Sequence, residues 1–179
     1  VCPLCPTGLG ASSRKKGVMK FDLFKKIIDE THETTLELFY QNWGEPSLVS
    51  NLPEMIHYAS ERGIWTSLST NFSRKYKNGF LEKLIESGLG LLHIDVDGTT
   101  QEVYEKYRRK GDLSLVLANT RKCVKIKQKQ CIEYPIIEVC MLAMSHNEHQ
   151  LEIFKKLAGG LGVDRFSIDR IQIDPNSER

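Results

Sequence analysis

The sequence lacks a long apolar run and lacks an excess of charge of either sign. No stretch approaches the roughly 20 apolar residues that a membrane-spanning helix needs, and 25 Lys and Arg stand against 23 Asp and Glu. A net charge of +2 offers no general attraction for nucleic acid or for an anionic membrane. We therefore expect a soluble protein with one domain over residues 1–179 and with neither kind of partner.

Cysteine is also scarce, and its arrangement argues against a disulfide framework. The five cysteines are odd in number, and Cys123, Cys131 and Cys140 stand alone in patterned segments, as plain helix, loop and strand residues. We therefore predict a reducing compartment, with the cytosol as the default. Cys2 and Cys5 are spaced as CxxC, which by itself fits a redox pair, half of a zinc site or part of an iron–sulfur site.

Hydrophobic periodicity predicts alternating helices and strands along the chain. The predicted strands cover 35–42, 64–71, 91–97, 136–144 and 165–173. The predicted helices cover 21–31, 52–62, 79–87, 100–107, 113–128 and 148–157, the last of them broken by the glycine-rich GGLG. This alternation is typical of parallel sheets with right-handed crossovers.

Polar residues recur at every second position of several predicted strands. Unpaired buried carboxylates cost several kcal/mol each, so these positions cannot all face covering helices. A barrel interior that holds a polar ligand at the carboxyl ends of the strands would satisfy them. The alternative is an open sheet in which one or two of them cap helices. The residues are Glu37, Gln41, Ser67, Ser69, Asn71, His93, Asp95, Asp97, Ser167 and Asp169.

The surroundings of Cys2 and Cys5 weaken two of the three interpretations. A thioredoxin-like dithiol opens a helix, whereas here we expect a loop of more than a dozen residues, including SSRKKG, before the first helix. A zinc ribbon needs a second CxxC, which the remaining cysteines do not form. What remains is a cysteine loop followed by a helix and by a strand that ends in Trp-Gly-Glu-Pro.

These motifs together resemble the radical S-adenosylmethionine (SAM) enzymes, whose CxxxCxxC loop binds a 4Fe-4S cluster. Cys2 and Cys5 are similar to the second and third cysteines, so we expect the first cysteine and the first strand to lie outside this sequence. IDVDGTTQEVYEKYR resembles the family's SIDG…YEKYR segment. These motifs are most similar to those of the subgroup that carries an additional C-terminal cluster domain, called SPASM or twitch. We expect that domain to be absent here. The fold implied is α/β, a partial (β/α)6 TIM-like barrel without its first strand.

The resemblance implies a metal site at Cys2 and Cys5 and a SAM site that begins at Gly44, Glu45 and Pro46. These three residues match the motif that takes the methionine amino group, with a simple turn as the alternative. A carboxylate can hold an ammonium by a charge-assisted hydrogen bond. We expect Glu45→Ala to weaken SAM binding and to leave the stability of the cofactor-free protein unchanged.

Four further residues are implied in cofactor binding. Arg108 would reach the SAM carboxylate, or else be a solvated cation at a helix end. Ser69 and Asn71 would bind the same end of SAM, or cap the next turn. Asp95 stands where many relatives have serine and would reach the ribose hydroxyls.

The activity implied is reductive cleavage of SAM by the cluster to a 5′-deoxyadenosyl radical, which abstracts hydrogen from a peptide, a sugar or a small metabolite. An electron donor such as flavodoxin or ferredoxin is implied as a partner. A degenerate βα binding module and a CxxC thiol oxidoreductase remain as alternatives. His146 and His149 resemble a metal pair, but they fit better the exposed first turn of a helix capped after Ser145.

Overall fold

The computed structural model of the chain describes residues 2–10, 17–42 and 44–170. Its helices are α1 (Pro6–Leu9), α2 (Phe21–Thr31), α3 (Leu52–Ser60), α4 (Phe80–Glu86), α5 (Gln101–Tyr107), α6 (Leu113–Gln130) and α7 (Leu151–Leu161). Its strands are β1 (Glu37–Phe39), β2 (Trp65–Thr70), β3 (Leu91–Asp95), β4 (Ile136–Ala143) and β5 (Arg165–Arg170). Two short 3-10 turns, Pro46–Leu48 and Glu148–Gln150, complete the described elements.

All five strands pair in parallel, in the order in which they occur along the chain. Helices lie between successive strands, as the crossover connections of a parallel sheet require. The prediction of an α/β fold with a parallel sheet of the partial TIM-barrel kind is therefore confirmed. The end of the last predicted strand, at 171–173, lies outside the described residues.

The two faces of the sheet differ sharply in polarity. Because side chains alternate along each strand, residues paired in register point to the same side. One face carries Leu68, Leu92, Ile94 and Val139, all fully buried beneath the helices. The opposite, inner face carries the polar residues that the sequence pattern singled out, namely Ser67, Ser69, His93, Asp95, Ser167 and Asp169, together with Glu138. This separation satisfies the requirement that strand carboxylates face something polar.

The sequence prediction was wrong about the end of helix α7. The helix continues through Gly159 and Gly160 to Leu161, and it ends at Gly162, whose φ of 72° is left-handed. Phe154, Ala158 and Leu161 are buried along one side of the helix, so packing of this apolar stripe outweighs the low helix propensity of the glycine pair.

Two local predictions near chain turns were also wrong. A one-turn helix, α1, follows Cys5 directly, where we expected only a loop; residues 11–16 of that loop lie outside the described part. Ser145 does not cap a helix. Instead the buried Asn147 donates from Nδ2 to the carbonyls of Asp97 and Leu142, at 3.1 and 2.9 Å, and its Oδ1 accepts from the Met144 N–H.

Candidate functional site

Cys2 and Cys5 lie in a tight turn beside the carboxyl end of the sheet. The Cys5 N–H donates to the Cys2 carbonyl at 3.2 Å, so the two residues are the first and last of a four-residue turn. Both thiols are free and half-buried. Burial raises the pKa of the Cys2 thiol, and the Arg108 guanidinium, 3.3 Å from its sulfur, offsets part of that effect. A cation at this distance stabilises a thiolate.

Arg108 joins this turn to strand β3. Its Nη1 faces the Cys2 sulfur, its Nη2 lies 3.1 Å from Asp95 Oδ2, and its Nε donates to Asp97 Oδ2 at 2.5 Å. Only 12% of the side chain is exposed. Burial lowers the pKa of Arg108, but the two carboxylates outweigh it and hold the pKa above its ordinary value. The alternative of a solvated cation at a helix end is therefore wrong, because Arg108 leaves the end of α5 to enter a buried ion-pair network.

The two carboxylates of this network are held differently. Asp97 is fully buried, and its Oδ1 accepts from the Leu142 N–H at 2.8 Å, so it links the end of β3 to β4. Asp95 lies on the inner face, with Oδ1 3.7 Å from His93 Nε2. Burial, and to a smaller extent the Asp97 carboxylate, raise the pKa of Asp95 against the lowering effect of Arg108. Of the two, Asp95 is the carboxylate that a ligand on the inner face can reach.

Glu45 anchors the turn that follows β1 to the end of β2. Its Oε1 accepts from the Ser47 N–H at 3.1 Å, the Ser47 hydroxyl at 2.6 Å and the Thr70 hydroxyl at 2.5 Å. Its Oε2 accepts from the Asn71 N–H at 3.0 Å. The expectation that removal of this carboxylate leaves stability unchanged is therefore wrong, because four donors of the fold itself bond to it. No motif in the sequence indicates these bonds.

The neighbouring residues of this turn fit the sequence analysis in part. Gly44 has a φ of 125°, in the region that favours glycine, so a side chain here would strain the backbone. Pro46 is the first residue of the 3-10 turn, where its missing N–H costs nothing. Trp43 lies outside the described residues.

Ser69 and Asn71 lie at the carboxyl end of β2. With Glu45, Asp95 and Arg108 they form a polar rim at this edge of the sheet. The Ser69 N–H donates to Gln41 Oε1 at 3.0 Å, and its side chain is on the inner face beside His93. Asn71 Oδ1 accepts from the Ser73 N–H at 3.0 Å, which is the turn-capping role given above as an alternative. That bond uses only the amide oxygen, so within the described part of the chain the Asn71 amide nitrogen is left to a ligand.

Sequence reasoning missed a second polar cluster, on the inner face away from the cysteines. His93 Nδ1 lies 3.0 Å from Glu138 Oε2, and Arg165 Nε lies 3.3 Å from Glu138 Oε1. Burial raises the pKa of Glu138, but His93 and Arg165 outweigh it and leave the pKa below its ordinary value. Glu138 is the one charged residue in an otherwise apolar strand, IIEVCMLA. This charge in the strand sequence could have indicated the cluster.

Cys123 is buried in α6, Cys131 is exposed just after the end of that helix, and Cys140 is buried in β4, which agrees with their prediction as helix, loop and strand residues. In the parts of the chain that the structure describes, no three His, Cys, Asp or Glu side chains are grouped as metal ligands. Cys2 and Cys5 are free thiols of the residue type that binds iron in iron–sulfur clusters, and they are two in number. Over the same residues, no helix is long and apolar enough to cross a membrane.

The parallel sheet, the polar inner face and the cysteine turn at its carboxyl rim define a core of the (β/α)-barrel class. Residues 1–152 match the Radical SAM superfamily, and the chain belongs to that family. Enzymes of this family use a 4Fe-4S cluster and SAM.

Two curated relatives and one solved structure illustrate the similarity. The PqqA peptide cyclase of Bradyrhizobium diazoefficiens is 24% identical over 176 residues, which are 96% of this chain and 43% of that protein. The 7,8-dihydro-6-hydroxymethylpterin dimethyltransferase of Methanocaldococcus jannaschii is 27% identical over 132 residues, 70% of this chain and 25% of that protein. The chain thus spans from a quarter to under half the length of these relatives.

The crystal structure of Streptococcus suis SuiB bound to S-adenosylmethionine superposes with a TM-score of 0.75 at 12% identity, over 98% of this chain and 38% of that one. SuiB has also been crystallised with its precursor peptide SuiA. At this identity the likeness establishes the fold.

Proposed function

We propose that the chain is the catalytic core of a radical SAM enzyme in which Cys2 and Cys5 hold a 4Fe-4S cluster and the adjoining rim binds SAM. The observation that carries this proposal is the contact chain from Cys2 through Arg108 to Asp95 and Asp97. The buried Arg108 guanidinium thus lies between the Cys2 thiol and the inner face of the sheet, which supports a shared site.

When bound, the cluster and SAM would supply the one-electron cleavage that releases methionine and a 5′-deoxyadenosyl radical able to take hydrogen from a substrate. The chain's own residues would bind and orient. Cys2 and Cys5 would provide two thiolates, and a third would come from the CxxxCxxC motif of the full-length protein.

Glu45 would receive the methionine ammonium of SAM. Two of its four hydrogen-bond donors are the hydroxyls of Ser47 and Thr70, which can rotate away, whereas the backbone N–H groups of Ser47 and Asn71 cannot. An ammonium would therefore replace a hydroxyl at Oε1 while the backbone bonds keep the carboxylate in position. Gly44 and Pro46 fix the turn that presents it.

The remaining rim residues would hold the other parts of SAM. Arg108 would attract the SAM carboxylate, in competition with Asp95. If the SAM carboxylate takes part of the Arg108 guanidinium, Asp95 would be released to accept hydrogen bonds from the ribose hydroxyls. Ser69 and Asn71 lie at the end of the neighbouring strand and would complete the polar wall.

The substrate would lie against the polar inner face, and we leave its class as a peptide, a sugar or a small metabolite. Relatives that act on or bind peptides, PqqA peptide cyclase and SuiB, support the first of these. An electron donor such as flavodoxin or ferredoxin would reduce the cluster. We also propose a reducing, cytosolic setting, because five cysteines are an odd number and three of them stand alone along the chain.

The cluster assignment is tested by the iron content of the full-length protein after anaerobic reconstitution with iron and sulfide. The parent should hold four irons per cluster site, and Cys5→Ser should lose most of them because two thiolates do not retain a 4Fe-4S cluster. Cys131→Ser is the matched control, since that cysteine is exposed at the end of α6. Equal iron in Cys5→Ser and in the control would remove the assignment.

A further inference from the structure

A separate cleft lies behind the turn that carries Glu45. It has a volume of about 490 Å³ and is bounded by the 3-10 turn Pro46–Leu48, the loop after β2 and the beginning of α4. This size is within the range of small-molecule pockets, roughly 300–1,000 Å³. The cleft includes neither cysteine of the CxxC turn nor Arg108 among its lining residues.

The lining of this cleft is strongly cationic. Four of its lining residues are Arg74, Lys75, Lys77 and Lys83, and none is acidic, although the chain as a whole has nearly balanced charge. Lys83 is paired with Glu54 at 3.1 Å. Lys75 and Lys77 make no ion pair with any residue that the structure describes, although the Lys75 charge contributes to lowering the pKa of the Asp112 carboxyl. Neither ammonium group is therefore held by a described carboxylate, and both can turn to a ligand.

The walls of the cleft are fixed by contacts of their own. The rings of Tyr76 and Phe80 stack with centroids 5.0 Å apart. The Tyr76 hydroxyl donates to Ser47 Oγ at 2.8 Å, and Arg74 Nη1 donates to the Ser47 carbonyl at 3.2 Å. Arg74 is therefore held in place at the wall, with the rest of its guanidinium left to bind an anion. A rigid, concave and cationic wall beside exposed lysines is suited to a multiply charged anion.

We propose that this cleft binds a phosphate-bearing small molecule, at a site separate from the cluster and from SAM. Lys75 and Lys77 would neutralise the phosphate charge, Arg74 would donate hydrogen bonds to its oxygens, and the ring pair would line the less polar part of the ligand. The site would share Ser47 with the Glu45 turn, because the Ser47 hydroxyl donates to Glu45. The proposal does not depend on cluster chemistry. It can therefore be tested independently of the function proposed above.

Titration calorimetry with inorganic pyrophosphate tests this proposal on the full-length protein without a cluster. The double variant Lys75→Gln/Lys77→Gln should bind about tenfold more weakly than the parent, since two nearby charges are lost. Both side chains are exposed, so the fold should be unaffected. Lys125→Gln/Lys129→Gln, two exposed positions on α6 with the same charge change, is the matched control and should bind like the parent.

Absence of pyrophosphate binding by the parent, or equal weakening in both double variants, would overturn the proposal. A second arm compares ADP with a phosphoserine peptide at the same salt concentration. Tighter binding of ADP would support a small phosphate-bearing ligand. Tighter binding of the peptide would overturn that class in favour of a phosphorylated protein.

Discussion

At the scale of single residues, the rim carboxylates already form hydrogen bonds and ion pairs within the protein when no cofactor is bound. Glu45 accepts four hydrogen bonds, and Asp97 joins two strands and Arg108. Such residues affect both stability and ligand binding. A loss of activity on substitution therefore identifies a cofactor ligand only when stability is measured beside it.

Glu45→Ala should lower both the stability of the cofactor-free protein and its affinity for SAM. The lost bonds leave partly buried donors unpaired, which we expect to cost about 2–4 kcal/mol, or a fall in Tm of about 4–16 °C at this chain length. Loss of the charge-assisted bond to the ammonium should weaken SAM binding roughly 10- to 150-fold. Thermal unfolding of the cofactor-free protein measures the first effect, and titration calorimetry of the reconstituted protein with SAM measures the second.

The control for this variant is Glu30→Ala, an exposed carboxylate on α2. It should change neither quantity. If Glu45→Ala lost stability but bound SAM like the parent, Glu45 would be a structural residue of the turn and its role toward the ammonium would be excluded.

Glu138 should make the stability of the protein depend on pH. Its pKa in the folded state is below the ordinary value of 4.5, because His93 and Arg165 outweigh the opposing effect of burial. The unfolded state therefore binds more protons in this range, and the stabilisation is present above about pH 4.5 and is lost as the pH falls through the lowered pKa.

The variant Glu138→Gln should accordingly differ from the parent more at about pH 6 than at about pH 3. Urea unfolding at both pH values gives the two differences in the free energy of unfolding. An equal difference at both would mean that Glu138 is not paired as the structure describes.

At the scale of helices and strands, the existence and order of most elements could be predicted from the sequence. Apolar residues at helical spacing identified α2, and the alternation of strand and helix identified the parallel sheet. The end of α7 could not be predicted in this way, because it depends on the burial of Leu161 against the core. Likewise, the ladder of polar strand residues predicted a polar face, but the pairing of Glu138 with His93 and Arg165 depends on the register of three strands.

Gly159→Ala and Gly160→Ala should each stabilise the protein. Both positions are helical, and a methyl group at either would meet no atom within 4 Å. Alanine in a helix interior is favoured over glycine by roughly 0.5–1 kcal/mol, which corresponds to a rise in Tm of about 1–4 °C. Differential scanning calorimetry measures the change.

Gly162→Ala provides the opposite control. This residue ends the helix in the left-handed region, with a φ of 72°, so alanine there should be destabilising. If alanine at 159 and 160 failed to raise the Tm, the helix would end before the glycine pair, as the sequence pattern had suggested.

At the scale of the whole molecule, the polar inner face, the cysteine turn and the rim form one continuous surface. Contacts run from Cys2 through Arg108 and Asp95 to His93, Glu138 and Arg165 on the far strand. A substrate held against this surface would lie beside the cofactor that the rim is proposed to bind. The identity of the substrate could not be predicted from the sequence, because the same fold serves many different reactions.

The central claim is that this rim, once loaded with a cluster, cleaves SAM reductively. The most direct measurement is the amount of 5′-deoxyadenosine and methionine formed from SAM by the reconstituted full-length protein under anaerobic, reducing conditions, with Cys5→Ser and Cys131→Ser assayed in parallel. We predict that Cys131→Ser forms as much of each product as the parent does. Cys5→Ser should form neither product, although it keeps its secondary structure. No deoxyadenosine from an iron-loaded parent, or as much from Cys5→Ser as from the parent, would contradict the account.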